Sequence, residues 1–209
     1  MATIPDSSPT LFPEDWNRFL GEMLPSQGSW SEEEYLVLTE HANRLVEFTD
    51  GFLEVLPVPT DRHQSILGFL YAAFSQFIMP RGGWVVFAPL RLRVRAGKYR
   101  EPDLLLVQSA NDPRRQDRYW TGADLVLEVV SPDNPERDLV DKRVEYASIG
   151  IAEYWIVNPA TETVVVLRLA GNEYLEAGCS TRGNFARSVL LGDFSVEVAS
   201  MFDAGQPPR

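Results

Sequence analysis

Two acidic residues lie at the inner ends of neighbouring predicted strands: Asp103 in YREPDLLLV and Glu128 in ADLVLEVVSP. A predicted helix carrying Lys142 follows the second strand directly. An isolated carboxylate beside apolar strand residues is costly to bury, so Glu128 implies a partner, most simply a divalent cation. Two carboxylates and a lysine in this order are the layout of a metal-dependent phosphodiester hydrolysis site.

The amino-acid composition limits the size of the core and the kinds of metal site that the chain can form. With 209 residues, 44% of them hydrophobic, the chain can bury one substantial core. The single cysteine, Cys179, excludes a disulfide framework and a thiolate zinc site, and two histidines exclude a multi-histidine centre. Oxygen ligands then favour Mg²⁺ or Mn²⁺. No leader or membrane-spanning stretch is apparent, so we expect a cytoplasmic location and no membrane partner.

Basic charge is concentrated ahead of and around Asp103. Residues 81–118 contain nine basic and four acidic residues, a local net charge of +5; because the whole chain carries −11, the remainder carries −16. Within this window Arg91, Arg93 and Arg95 alternate with apolar residues, so a strand would place all three on one face. They predict a basic, substrate-binding stripe leading toward Asp103. A solvated strand face is the alternative.

The elements that position these residues follow from hydrophobic periodicity. Residues 1–30 are rich in Pro and Ser and are interpreted as an N-terminal arm, with 31–209 as a single domain. Ser31 and Glu34 predict a capped helix, and Asp50-Gly51 predicts a hairpin. The other predicted elements are a helix over 61–79, strands over 84–94, 103–107, 125–130 and 153–157, a helix over 134–150, and antiparallel strands after 163. This order predicts an α/β (α+β) fold: a mixed β-sheet flanked by helices, with an extra N-terminal hairpin and C-terminal strands.

Several short motifs occur in a fixed order: VE and DG at 46–51, T and HQ at 60–64, EPD at 101–103, LEVVSP at 127–132, RD, K and Y at 137–146, and G and EYW at 150–155. In this order they resemble the PD-(D/E)XK nuclease superfamily and, more closely, its Uma-two family of restriction endonucleases. The resemblance covers about residues 31 to 170. It implies a restriction-endonuclease-like core and an Mg²⁺-dependent (or Mn²⁺-dependent) endonuclease that cuts DNA.

The resemblance also implies a ligand set. Asp103 and Glu128 would hold one or two Mg²⁺ or Mn²⁺ ions, with the backbone carbonyl of Val129 as a further ligand. Glu47 on the hairpin is the expected additional catalytic carboxylate, and Glu54 takes its place if the hairpin register differs. Because crowded carboxylates repel without metal, Asp103→Asn or Glu128→Gln is expected to leave the fold intact or to stabilise it.

Lys142 is the expected catalytic lysine. The broad superfamily places a lysine two positions after the glutamate, where this chain has Val130, and the resemblance moves that role to the following helix. The chain uses arginine seventeen times and lysine twice, so a lysine here is consistent with a need for a compact ammonium. A surface lysine paired with Asp138 or Glu145 is the alternative.

Further residues could border the site. His63 and Gln64 match the resemblance at the start of the long helix and are expected to touch substrate, although a histidine near a helix start is often structural. Tyr146, four positions after Lys142, is expected to pack on the sheet and orient the lysine stem. Trp120 could stack on a base or simply anchor its loop.

The residues leave the substrate open: DNA is expected, but RNA, single strands and other phosphate esters are not separated from it. A homodimer is expected from the resemblance, because cutting two strands takes two sites. A competing hypothesis is a noncatalytic module that keeps the nuclease fold and binds nucleic acid or protein. The acidity of the chain outside the basic window favours that hypothesis, and the complete set of Asp103, Glu128 and Lys142 disfavours it.

Overall fold

A computed structural model describes residues 24–42, 44–131 and 140–206 of the chain. Two predicted features fall partly outside these ranges: residues 1–23 of the expected arm and residues 134–139 of the expected helix over 134–150. Residues 24–30 pack on the predicted hairpin, where the amide of Gly28 donates to the carbonyl of Gly51 at 2.8 Å. The division into an arm and one domain stays a prediction.

The N-terminal elements form as the capping and turn signals predict. Helix α1 (Glu32–Glu40) begins after Ser31, whose side chain and that of Glu34 complete a capping box. Strands β1 (Val46–Thr49) and β2 (Phe52–Val55) form the hairpin. Its turn residues Asp50 and Gly51 both have positive φ, the backbone that an Asp-Gly turn supplies.

The long amphipathic segment forms helix α2 (Asp61–Ile78), which begins after Thr60 and continues into a 3₁₀ turn at Met79–Arg81. The hydroxyl of Thr60 accepts the amide of His63 at 3.2 Å, so the cap fixes the first turn on which His63 lies. The buried face of α2 repeats at spacings of three and four. The remaining elements are β3 (Trp84–Phe87), β4 (Arg91–Arg95), β5 (Lys98–Arg100), β6 (Leu104–Val107), β7 (Tyr119–Trp120), β8 (Leu125–Val129), α3 (Lys142–Ser148), β9 (Glu153–Asn158), β10 (Thr163–Ala170), β11 (Glu173–Thr181), β12 (Phe185–Arg187), β13 (Ser195–Glu197) and α4 (Val198–Phe202).

The strands of the described residues form three sheets. The central six-stranded sheet has the order β11-β10-β9-β8-β6-β3, and its β8–β9 pair is parallel while the other neighbours are antiparallel. A five-stranded sheet has the order β2-β1-β5-β4-β7, and β12 pairs with β13. This is the mixed sheet flanked by helices that the sequence predicts. The predicted strand over 84–94 is divided into β3 and β4 at the cis Ala88–Pro89 bond, and β5 was not predicted.

The central sheet is buried on both faces, which explains why β6 and β8 are almost wholly apolar. Alternate residues of these strands pack with α2 and α4 on one side. The intervening residues pack with Leu92 and Trp120 of the five-stranded sheet and with Tyr146 of α3 on the other side. The polar ends of β8 and α3 are therefore brought to the junction of the two sheets. Within the described ranges, no helix is long and apolar enough to cross a membrane.

Candidate active site

Asp103 is fixed at the start of β6 by two hydrogen bonds to one carboxylate oxygen. Its Oδ2 accepts the amide of Val129 at 2.7 Å and lies 3.1 Å from Nε2 of His63. Because a carboxylate only accepts, the Nε2 proton is the one that donates. These contacts join the ends of β6 and β8 to the first turn of α2.

The electrostatics of His63 reflect this position. Burial alone would lower the pKa of the imidazole, but the hydrogen bond and charge of Asp103, the charge of Glu128 and the nearby backbone of Val129 outweigh burial and raise it. The other ring nitrogen, Nδ1, is buried and has no partner with hydrogen-bond geometry among the described residues. His63 is therefore placed to hold Asp103. Its predicted contact with substrate stays a prediction.

Glu128 is held from the opposite side by two residues of α3. Nζ of Lys142 lies 2.8 Å from Oε1 of Glu128, and both side chains are almost fully buried. The hydroxyl of Tyr146 donates to the same oxygen at 2.6 Å. Burial and the charge of Glu128 raise the pKa of Tyr146 well above its ordinary value, so the phenol keeps the proton that it donates. Its ring packs edge-on against Tyr154, in keeping with the predicted packing role.

Lys142 therefore contacts a site carboxylate and is buried, unlike the surface lysine that sequence reasoning allows as the alternative. The pairing also changes the expectation for Glu128→Gln. The charge of Glu128 is paired with a buried ammonium, so neutralising Glu128 would remove a favourable charge contact rather than relieve repulsion.

Glu47 is the hairpin carboxylate that the structure brings toward this cluster. It is 1% exposed and accepts from the Arg100 guanidinium at 2.5 Å and from the Glu101 amide at 3.2 Å. Its charge contributes to the raised pKa of Tyr146. Glu54 lies opposite Glu47 in the hairpin register but is exposed.

The donors suit a hard cation that keeps part of its water shell. Among residues 24–42, 44–131 and 140–206, no three His, Cys, Asp or Glu side chains form a ready metal cage. Mg²⁺ does not need one, since it is commonly held by one or two carboxylates together with water and phosphate oxygens. The amide of Val129 and the ring of His63 both contact Oδ2 of Asp103. In the described part of the chain, the other carboxylate oxygen, Oδ1, accepts no hydrogen bond and can face an ion. The carboxylates of Asp103 and Glu128 thus suit the expected ion, and the role of the Val129 carbonyl stays a prediction.

The predicted basic stripe is engaged within the protein. Nη2 of Arg93 lies 3.0 Å from Glu32, Nη2 of Arg95 lies 2.6 Å from Asp50, and Nη1 of Arg91 donates to a backbone carbonyl. These contacts direct Arg93 toward α1, Arg95 toward the hairpin turn and Arg91 toward Arg118 in the segment before β7. The role of the three residues in substrate binding stays a prediction.

Two other predicted contact residues have separate positions. Gln64 is exposed in the first turn of α2, beside His63. Trp120 is 3% exposed, and the guanidinium of Arg115 lies over its ring. Of the two roles considered for Trp120, stacking on a base or anchoring its loop, this burial supports the anchoring role.

Sequence reasoning assigned no site role to three charged residues that lie beside the site: Lys98, Arg100 and Glu145. Arg100 contacts both Glu47 and Glu145, and Lys98 also pairs with Glu145. The sequence contained a signal for the two basic residues: Lys98 and Arg100 occupy alternate positions of β5, and this strand is followed closely by Asp103.

Comparisons with known proteins identify the family and the fold. The model of the Uma2 family, described as "Putative restriction endonuclease", matches residues 32–199. A crystal structure of a putative nuclease belonging to DUF820 from Anabaena variabilis superposes with a TM-score of 0.67, at 16% identity over 86% of this chain and 98% of that chain. At that identity the likeness shows the fold alone. No curated protein matches the chain.

Proposed function

The chain belongs to the Uma2 family of restriction-endonuclease-like proteins, and on that premise we propose that it is a metal-dependent endonuclease hydrolysing phosphodiester bonds in DNA. The predicted resemblance to this family and the predicted fold are confirmed by the family model and the structural match. Metal dependence, the DNA substrate, the homodimer and the cytoplasmic location are parts of the proposal.

One observation supports the proposal: three predicted site residues from separate segments of the chain meet where β6, β8 and α3 adjoin. Asp103 is bonded to the amide that follows Glu128, and Glu128 contacts Lys142. Burying two carboxylates and an ammonium together costs stability unless they are paired, and an apolar cluster would serve folding as well. The cluster is therefore better explained by function than by stability.

Each residue has a defined task in this site. Asp103 and Glu128 would hold Mg²⁺ or Mn²⁺, and such an ion, when bound, polarises the scissile phosphate and lowers the pKa of water. His63 holds the Asp103 carboxylate by its Nε2 proton, and Tyr146 does the same for Glu128. The ammonium of Lys142 can donate to a phosphate oxygen or orient the attacking water, stabilising the charge that develops.

The proposal is tested by cleavage of labelled single-stranded and duplex DNA with Mg²⁺ or Mn²⁺, using wild type and Asp103→Asn from parallel preparations. Asp193→Asn makes the same chemical change at an exposed carboxylate and serves as the matched control. We expect wild type and Asp193→Asn to cut only with metal, and Asp103→Asn to be inactive. Equal cleavage by Asp103→Asn would reject the assignment.

A second candidate, the noncatalytic binding module, is favoured by the internal pairing of Arg93 and Arg95 with carboxylates. That pairing reduces the basic surface available for phosphates, in a chain whose net charge is −11. Calorimetric titration with Mn²⁺ discriminates between the two. A nuclease binds the ion in wild type and loses affinity in Asp103→Asn, whereas a module without catalysis need bind none.

A further inference from the structure

Arg100 occupies the last position of β5, three residues before Asp103, and its guanidinium is buried between two carboxylates. The side chain is 9% exposed, compared with 1% for Glu47 and 13% for Glu145. Burial would lower the pKa of Arg100, but hydrogen bonds and charge from Glu145 and Glu47 outweigh burial and raise it. Arg100 is therefore a permanent cation beside the candidate site.

The planar guanidinium group donates hydrogen bonds from two of its edges, one edge to each carboxylate. Nε and Nη2 each lie 2.7 Å from an oxygen of Glu145, a bidentate contact, and Nη1 lies 2.5 Å from Oε2 of Glu47. Only an arginine can make these three directed contacts at once, since an ammonium is a compact point charge. Arg100 thus joins β1 to α3 through a single rigid group.

Glu145 is the residue that connects this contact to the site. It lies on α3 between Lys142 and Tyr146, the two residues that contact Glu128. Helix α3 is short, with seven residues. Side-chain contacts with neighbouring elements therefore contribute to its placement, and Arg100 supplies one at the turn that bears the lysine.

We propose that Arg100 is a positioning residue of the nuclease site, holding Glu47 and the helix of Lys142 in register with Glu128. This inference rests on the proposed function. Arg100 would not touch substrate; it would act through the placement of Glu47 and Lys142. A displacement of the lysine by a fraction of a hydrogen-bond length is enough to slow the chemical step without weakening substrate binding equally.

The test compares Arg100→Lys with Arg114→Lys. Arg114 is a matched control, because its guanidinium also joins two carboxylates, Asp112 and Asp124, away from the site. Steady-state cleavage is measured for each, together with the folded fraction by urea unfolding. We expect Arg100→Lys to lower kcat by about 10- to 100-fold with KM within about threefold, the range of effects found for residues that orient site groups. Arg114→Lys should keep both parameters within about twofold of wild type at an equal folded fraction.

The outcomes separate this inference from the proposed function. An active wild type, an inactive Asp103→Asn and a fully active Arg100→Lys would overturn the inference alone. Equal losses of kcat in Arg100→Lys and Arg114→Lys would also overturn it, since the effect would then be general. A wild type that does not cut overturns both. If Arg100→Lys does not fold, Glu145→Gln gives the answer: it keeps one acceptor and should lose kcat in the same direction, and an unchanged kcat would overturn the inference.

Discussion

Lys142→Met should destabilise the protein because it leaves a buried carboxylate without its ammonium. Nζ of Lys142 and Oε1 of Glu128 are 2.8 Å apart, and the side chains are 5% and 4% exposed. Removing one member of a buried ion pair costs about 3 to 5 kcal/mol. Because the phenol of Tyr146 still donates to Glu128, we expect a loss of about 3 kcal/mol, the lower end of that range.

Glu128→Gln makes the converse change and should cost a similar amount, about 3 kcal/mol, because it removes the carboxylate charge that faces the buried ammonium. The double variant Lys142→Met/Glu128→Gln removes both charges together. Its loss should be smaller than the sum of the single losses by about 2 to 3 kcal/mol, the coupling energy of residues in direct contact. Asp103→Asn leaves the contact between Lys142 and Glu128 in place and should be tolerated better.

Urea unfolding in the presence of EDTA measures these free energies, provided that the slope of the transition is unchanged. Lys98→Met is the matched control, as Lys98 is the other lysine of the chain and its side chain is 16% exposed. Greater solvent screening should limit its loss to about 1 kcal/mol. Losses that add in the double variant to within about 0.5 kcal/mol would refute the argument, because they would show that the two charges do not stabilise each other.

Three other predictions concern the same cluster. Tyr146→Phe removes the hydroxyl that donates to Glu128, so the free energy of unfolding should fall by about 1 to 3 kcal/mol in urea titration; an unchanged midpoint would mean that this hydrogen bond contributes nothing. Burial would raise the pKa of Glu145, but Arg100 and Lys98 lower it below the ordinary 4.5. A lowered folded-state pKa stabilises above the unfolded pKa, so the stability difference between wild type and Glu145→Gln should be full at pH 7 and shrink as pH falls below about 4.5; a difference that grows in acid would contradict this sign. Mg²⁺ at about 100 times its Kd should stabilise wild type by about 2.7 kcal/mol, and EDTA should reverse the shift; equal stabilisation of Asp103→Asn would place the ion elsewhere.

Local signals predicted much of the fold. The capping box at Ser31, the Asp50-Gly51 turn and the periodicity of α2 each depend on residues within a few positions of one another, so one sequence contains the whole signal. The short apolar strands β6 and β8 were recognisable for a related reason. Burial on both faces removes polar residues from a strand, and that depletion is visible without knowing what covers it.

Long-range pairing could not be predicted in the same way. The alternation of Arg91, Arg93 and Arg95 predicted a face open to phosphates, but Glu32 and Asp50, from remote segments, pair with two of these guanidinium groups. Strand β5 was not predicted because it is only three residues long and follows a turn at Gly97. In the candidate site, the identity of Asp103, Glu128 and Lys142 was predictable from motif order, whereas their hydrogen bonds were not.

The parallel β8–β9 pair, connected through α3, has a consequence for the order in which the site assembles. Tyr146 and Glu128 are 18 positions apart, whereas Arg100 and Glu47 are 53 apart. Closing the longer loop costs more chain entropy, and slow folding follows from distant contacts. We therefore expect the lysine and its carboxylate to meet early, and the hairpin carboxylate to join only when the two sheets dock. Under the proposed function, a folding chain would become able to cleave only after its two sheets have docked.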